Sequence, residues 1–392
     1  MRAEIDRRAM AALSSGHLAT DFASGAVPAL LPFLADRYDL SYTRTAVLML
    51  AALVSSSVVQ PVFGLLSDRR GAMWLLPGGV ALAGAGIALA AVAPSYPLVV
   101  ALIFCGGVGI AAFHPEGMKF ASYASGRRRA SGMALFNIGG NSGYALGPIL
   151  TTPLVVWLGL RGGLLLAVPT LLAAAVLLYA LPYLRGFVPE RPRQQARAGE
   201  DRRGALALLL AVIALRSVAW FGLLTFVPLW LIELGHSKTD GNRMLSLMLV
   251  SGAIGTLVVG PVSDRIGHRR AMQLTQAALA PLALTFVLAG GALGAVALAL
   301  VGACVVGSFT VTIVLSQEYL PRHVGMAAGL SVGTAMGIGG IAAVALGAVA
   351  DSVDLRTALL VCAAAPALGA VLCLFLPAPH APRDFAPEPV AP

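Results

Sequence analysis

His17 and Asp21 stand four residues apart in an otherwise apolar run, a spacing that stacks both on one face of a helix. A second polar interruption, "FHPEGMKF" from Phe113 to Phe120, closes the uncharged run "LVVALIFCGGVGIAA". His114 and Glu116 are two apart, so a regular helix points them about 200° from one another and they cannot form one site by themselves. Pro115 kinks the helix and frees a carbonyl one turn back, which a membrane tolerates only where that group meets protein or water. Glu116 and Lys119, three apart, can pair, and Lys119 can snorkel towards a surface. In the second half of the chain Arg216 is a basic group at mid-depth of an apolar run, so it must meet a carboxylate or an anionic ligand. Glu318 is the candidate carboxylate, and a purely structural Arg216–Glu318 pair is the competing reading. Asn137, Asn141 and Gln317 add neutral hydrogen-bonding groups, which helix contacts use as readily as ligands do. The chemistry on offer is proton exchange and the holding of a polar solute. Bond-making catalysis is not indicated: the sequence has no H-E-x-x-H zinc pattern and no G-x-x-x-x-G-K-[ST] phosphate loop.

The elements that must position these groups are membrane-spanning helices. Of the 392 residues 58% are hydrophobic and only 11% charged, against roughly 25% charged in soluble domains. Apolar segments of about 20 residues, each able to cross a hydrocarbon core of about 30 Å, recur along the chain. They predict twelve helices, near 10–35, 44–66, 73–93, 97–124, 130–157, 163–184, 205–233, 244–262, 271–290, 293–319, 325–349 and 356–376. The first begins after Arg2, Arg7 and Arg8, as a signal peptide would, but it outruns the apolar core of one and is expected to be retained. By the rise of 1.5 Å per residue, Asp21 lies roughly 18 Å above Ala9, near the bilayer midplane, and Glu116 roughly 27 Å from Leu98. An ionisable group at such depth costs several kcal/mol unless it faces water or a partner, so each is a functional candidate. His17 and Asp21 could instead only fix helix packing, and Glu116 with Lys119 could form a salt bridge at the mouth.

An even number of spans puts both termini on one side. Of the 27 Lys and Arg, 20 fall on that side, while Arg37, Arg44, Arg161, Lys238, Arg243 and Arg356 fall on the other and Arg216 lies within a span. Basic loops are retained in the cytoplasm, so both termini are expected there. The net charge of +9 thus reads as topology, and a nucleic-acid partner is excluded as an expectation. Cys105, Cys304, Cys362 and Cys373 lie inside spans without a CxxC pair, suggesting packing and no zinc site or disulfide.

The Arg-rich, Pro-containing stretch after Arg185 divides the spans six and six. The expected organisation is an N-terminal bundle over 1–185, a linker over 186–203, a C-terminal bundle over 204–376 and a Pro-rich tail over 377–392. The halves echo one another. "GLLSDRRG" from Gly64 recurs as "GPVSDRIG" from Gly260, and "GGNSGYALG" from Gly139 recurs as "GGIAAVALG" from Gly339, offsets of 196 and 200 residues. The architecture expected is a duplicated six-helix unit around one central site.

The loop motif after the second and eighth spans, the twelve spans and the long central loop resemble the major facilitator superfamily over essentially the whole chain. His17-x-x-x-Asp21, "FHPE", "GGNSGYALGP" and "QEYLPRHVGMAAGL" together resemble the fosmidomycin-resistance type of bacterial drug efflux protein. The resemblance implies an all-α membrane fold of two pseudo-symmetric bundles, with the first and fourth spans side by side at a central cavity. It thereby brings His17, Asp21, His114 and Glu116 to one wall, as proton-coupling residues. Arg216, Asn137, Asn141, Gln317 and Glu318 are the substrate-binding candidates. Asp68 with Arg69, and Asp264 with Arg265, sit at helix ends where charge pairs and helix dipoles can latch the inner face. Basic residues usually follow this loop motif; His268, Arg269 and Arg270 supply them in the second half, whereas the first half has Ala72 and Met73. Gly143-x-x-x-Gly147-Pro148 resembles the antiporter motif of the superfamily and equally fits a generic small-residue packing face.

The function expected is therefore export of small, drug-like, in part anionic molecules from a bacterial inner membrane in exchange for protons, by a monomer without a cofactor. An uptake symporter or uniporter and a transporter-like sensor use the same scaffold and stay open, because the sequence does not encode direction.

Overall fold

In the computed structural model, the described residues are 4–70, 72–126, 128–187 and 200–378. Residues 188–199 of the expected linker and 379–392 of the expected tail lie outside them, as do the side chains of Asp68 and Arg69. The described chain is helical: α1 (Arg7–Tyr38), α2 (Tyr42–Ser57), α3 (Gln60–Arg70), α4 (Leu75–Val92), α5 (Tyr96–Ala124), α6 (Arg129–Leu158) and α7 (Ala167–Leu184) form the first half. The second half comprises α8 (Arg203–Glu233), α9 (Lys238–Ile266), α10 (His268–Ala289), α11 (Gly291–Tyr319), α12 (Val324–Ser352) and α13 (Leu355–Leu374).

These thirteen helices make the twelve expected spans. One predicted span is split into α2 and α3 at Val58, just before Pro61, whose missing N–H cannot continue the ladder. Another boundary is softer than hydropathy suggests: Ser131–Phe187 is one apolar stretch of 57 residues. Gly159 ends α6 there with φ of +63°, and a 3-10 turn over Gly159–Leu166 reverses the chain into α7. Helix starts are written locally. The side chains of Asp6, Ser41, Ser237 and Asp354 each accept a hydrogen bond from a backbone N–H in the first turn.

The duplication is visible in backbone detail. Asp6 N–H donates to Ala124 O at the end of α5, and Arg202 N–H donates to Tyr319 O at the end of α11. Ser41 caps α2 through Arg44 N, and Ser237 caps α9 through Asp240 N, again 196 residues on. The fourth span of each half, α5 or α11, is thus tied to the chain entering the first.

Two helix pairs make most of the contact between the halves, α2 with α12 and α6 with α9, and α1 adds smaller contacts with α8 and α9. Among the described residues, the polar contacts across this junction cluster at the end opposite the termini. Lys238 pairs with Asp36 at 2.6 Å, Tyr42 donates its hydroxyl to Glu233 at 2.8 Å, and the Tyr42 and Thr43 amides donate to Asp351. Deeper in, the buried Asn242 of α9 donates to Ala29 O at 2.9 Å and to Thr152 Oγ1 at 3.0 Å, tying three helices together. Among the described residues, Asp264 makes no contact across the junction. Asp264 lies 3.6 Å from His268 of its own half, and Arg265 is exposed.

Within the first half, α1 crosses α6 on a stripe of glycines four residues apart. A Cβ would lie 2.6 Å from Ser14 O at Gly139, 2.0 Å from Leu18 O at Gly143 and 2.3 Å from Gly25 C at Gly147. Any side chain on this stripe would force the backbones apart, so the glycines set the approach of the helix that carries His17 and Asp21.

Candidate functional site: a histidine–aspartate–histidine cluster

α1 and α5 bring His17, Asp21 and His114 together. His17 Nε2 lies 3.3 Å from Asp21 Oδ2, and His114 Nε2 lies 3.3 Å from Asp21 Oδ1, so each imidazole addresses its own carboxylate oxygen. The far nitrogen of each ring is anchored on main chain: His17 Nδ1 to Phe136 O at 2.8 Å, His114 Nδ1 to Ile110 O at 2.9 Å. Stacking holds the orientation, with His17 parallel to Phe136 at 4.1 Å and His114 edge-on to His17 at 5.2 Å between centroids. Gly140 closes the site from α6; a Cβ there would come within 2.4 Å of His17 and 2.7 Å of Asp21. One polar atom from each of the three residues lies within 4.8 Å of the others.

Carbonyl oxygens only accept, so both Nδ1 atoms carry hydrogen. A neutral ring then turns an Nε2 lone pair towards Asp21, and only an added proton makes either contact attractive. Asn137, Asn141 and Tyr144 share a face of α6 with Gly140 by helical spacing. Asn137 is exposed and Asn141 half-buried.

Glu116 does not join this cluster. As its two-residue spacing from His114 implies, it turns the other way, fully buried, to accept hydrogen bonds from Ser67 Oγ of α3 and from Lys119 Nζ, the latter at 3.0 Å. Lys119 also donates to Ser67, so one hydroxyl and one ammonium serve Glu116 Oε2 while Oε1 is buried with no hydrogen-bond partner among the described residues. The single wall expected for all four residues is corrected to three residues plus a separate Glu116–Lys119–Ser67 centre at the junction of α3 with α5.

Arg216 is corrected too. Its guanidinium is buried and donates to Ser308 Oγ and Thr312 Oγ1 of α11, both at 2.9 Å, and among the described residues no carboxylate pairs with it. Glu318 lies six residues beyond Thr312, about 9 Å further along α11. It accepts instead from His268 Nδ1 at 2.8 Å, in a chain from Glu318 through His268 to Asp264. Gln317 sits half-buried at the same helix end.

A cleft of about 500 Å³ opens between α1 and α6 at the end that carries the N-terminus, lined by Ser14, Ser15, Leu18, Leu135, Ile138 and Ser142 among others. None of His17, Asp21 or His114 lines it. Sequence reasoning missed Asn242, Tyr42, Asp351 and Glu233, which tie the halves together. Each stands near a span end or in a polar turn, where a polar residue is ordinary, and only their meeting across the junction gives them a role.

With the fold and cluster in place, comparison with known proteins defines the class. The model of the Major Facilitator Superfamily matches residues 13–344, and the chain belongs to that family, a family of membrane transporters rather than enzymes. It is 32% identical over 379 residues to YfnC, an uncharacterized transporter of this type from Bacillus subtilis (strain 168), covering 94% of this chain and 92% of that one. It is 29% identical over 381 residues to the fosmidomycin resistance protein of Escherichia coli (strain K12), covering the same 94% and 92%. Among solved structures, a bacterial homolog of the human lysosomal transporter Spinster in an inward-facing, occupied conformation superposes with a TM-score of 0.79 at 12% identity, over 94% of this chain and 96% of that one. The E. coli fucose:proton symporter superposes at 0.63, with 17% identity, over 94% and 98%. The chain is a multi-pass membrane transporter of small molecules.

Proposed function

We propose that this transporter exports small drug-like molecules, anions among them, in exchange for protons. The His17–Asp21–His114 cluster carries the reading: three titratable groups at mid-depth of two neighbouring helices, arranged so that protons are what hold them together. Protonation there and substrate occupancy elsewhere in the molecule are coupled because each biases the same rocking of two halves. The outward direction draws support from the relative named for fosmidomycin resistance, since a resistance transporter must keep the compound out of the cell. Lys and Arg asymmetry supports cytoplasmic termini in a bacterial inner membrane. In that orientation the halves are joined at the outer end, the arrangement of an inward-facing state. Arg216, Asn137 and Asn141 are assigned to substrate, and the protein is taken to act as a monomer.

Reconstitution in liposomes with an imposed proton gradient and fosmidomycin as the probe tests this. Drug moving against the proton flow is expected. Drug and protons moving together would replace antiport by symport, and drug flux indifferent to the gradient would remove proton coupling altogether.

A further inference from the structure

We infer that the cluster in this conformation holds two exchangeable protons, one on each side of Asp21, and hence that the transporter couples two protons, not one, to each cycle. The inference rests on the proton-coupled reading above and adds a number to it.

The count follows from donors and acceptors. Each Nδ1–H is committed to a main-chain carbonyl, Phe136 O for His17 and Ile110 O for His114. Each Nε2 can therefore face the carboxylate in only two ways, with a proton in the contact or with a lone pair against an oxygen lone pair. The second is repulsive, and acceptors left opposed in this half-buried site forgo a hydrogen bond. Because His17 contacts Oδ2 and His114 contacts Oδ1, one proton cannot serve both contacts. Two protons satisfy them as imidazolium–carboxylate–imidazolium, or as one imidazolium with a carboxylic acid donating to the other ring. In either form the cluster carries a net charge of +1, and with both protons gone it carries −1.

Among the described residues, nothing else nearby closes the count. The titratable groups acting on Asp21 are His17 on its own helix and His114 on α5. α6 contributes the Tyr144 phenol, a neutral group, and the Phe136 and Gly140 backbone. Losing one proton leaves one contact repulsive, so that ring must swing away or the helices must part. Release of the proton between Asp21 and His114 is thus tied to separation of α1 from α5, a movement that can be passed to the rest of the bundle, whereas the His17 contact lies within α1 and is relieved by movement of its own ring. At zero membrane potential, a gradient of one pH unit then supports about a 100-fold ratio of a neutral substrate, where one proton supports about tenfold.

Solid-state NMR counts the protons without any substrate. The full chain, labelled with ¹⁵N in histidine and ¹³C in aspartate, is reconstituted in lipid at pH 7. The ring signals are assigned with His17→Gln and, separately, His114→Gln. Two added protons among the three groups are expected in the wild-type protein, and one in each variant. A neutral ring whose Nε2 lone pair faces an ionised Asp21 in the wild-type protein would overturn the count. So would a spectrum that changes on adding EDTA, which would mean that a metal ion and not protons fills the contacts. Two protons counted in a protein whose flux ignores a proton gradient would leave the count standing and sink only the coupling. Gradient-driven flux with a single counted proton would do the reverse.

Discussion

The two halves share a backbone plan and differ in what they bury on it. Asp21 on α1 and Arg216 on α8 are 195 residues apart, one short of the offset between the Ser41 and Ser237 caps, so they occupy nearly matching levels of matching helices. In each half the partner groups come from the fourth span: His114 on α5 for Asp21, and Ser308 with Thr312 on α11 for Arg216. The first half thus surrounds an acid with two titratable bases, and its charge changes with proton occupancy. The second surrounds a permanent cation with hydroxyls that cannot neutralise it. Duplication supplied one geometry, and substitution turned it into a variable charge on one side and a fixed charge on the other. A fixed buried cation held, among the described residues, by neutral hydroxyls keeps its attraction for an anion, which is what supports the proposed assignment of Arg216 to anionic substrates.

The most damaging way to break this contrast is Asp21→Asn. It is expected to lower gradient-driven flux by about 100-fold or more while leaving substrate exchange at equal pH measurable, because the amide cannot cycle a proton. Driven flux at wild-type rate would remove the cluster from the mechanism. Gly140→Ala probes the same site through packing. The added methyl meets His17 and Asp21 well inside contact distance, so about a tenfold loss of driven flux and ~1–3 kcal/mol of stability are expected, read from transport and thermal unfolding.

On the other side of the comparison, Arg216→Met removes the charge and keeps most of the volume. The affinity for anionic compounds should fall about tenfold or more, with neutral compounds little affected. Equal losses for both classes would make Arg216 a packing residue. Asn242→Leu unties α9 from α1 and α6 and should cost about 1–3 kcal/mol at the joined end of the molecule. Labelling of single cysteines placed at that end should rise accordingly. The smallest effect is expected for Glu116→Gln, less than about threefold on driven flux, since the amide can still bond Ser67 and this carboxylate is not in the cluster. A loss as large as that of Asp21→Asn would return Glu116 to the proton path.

Much of the fold was legible before any coordinates. Runs of about 20 apolar residues, capping residues such as Ser41 and Ser237, and the paired loop motifs are local signals. The free energies behind them, burial of apolar side chains in lipid and satisfaction of a first-turn N–H, are decided within one helix. The His17–Asp21 pair was readable for the same reason: four residues on one helix fix a shared face whatever surrounds it. Even the separation of His114 from Glu116 was implicit in their two-residue spacing, although the superfamily resemblance had pulled them to one wall.

What the tertiary structure alone decided is who meets whom between helices. Whether His114 or Glu116 turns towards α1 depends on the rotation of α5 about its axis, and that rotation is set by packing against α4, α2 and α3 rather than by anything within α5. Arg216 found Ser308 and Thr312 instead of Glu318 because α8 crosses α11 nearly two turns away from that glutamate, a distance invisible in a list of residue types. The close crossing of α1 and α6 on Gly139, Gly143 and Gly147 brings Gly140 against the cluster, and no local preference specifies it. Helix formation and insertion are summed along the chain, whereas helix rotation and crossing are settled by simultaneous contacts among distant segments. The sequence by itself therefore determined the helices and their duplication, and only the packed bundle brought His114 from α5 to the His17–Asp21 pair of α1.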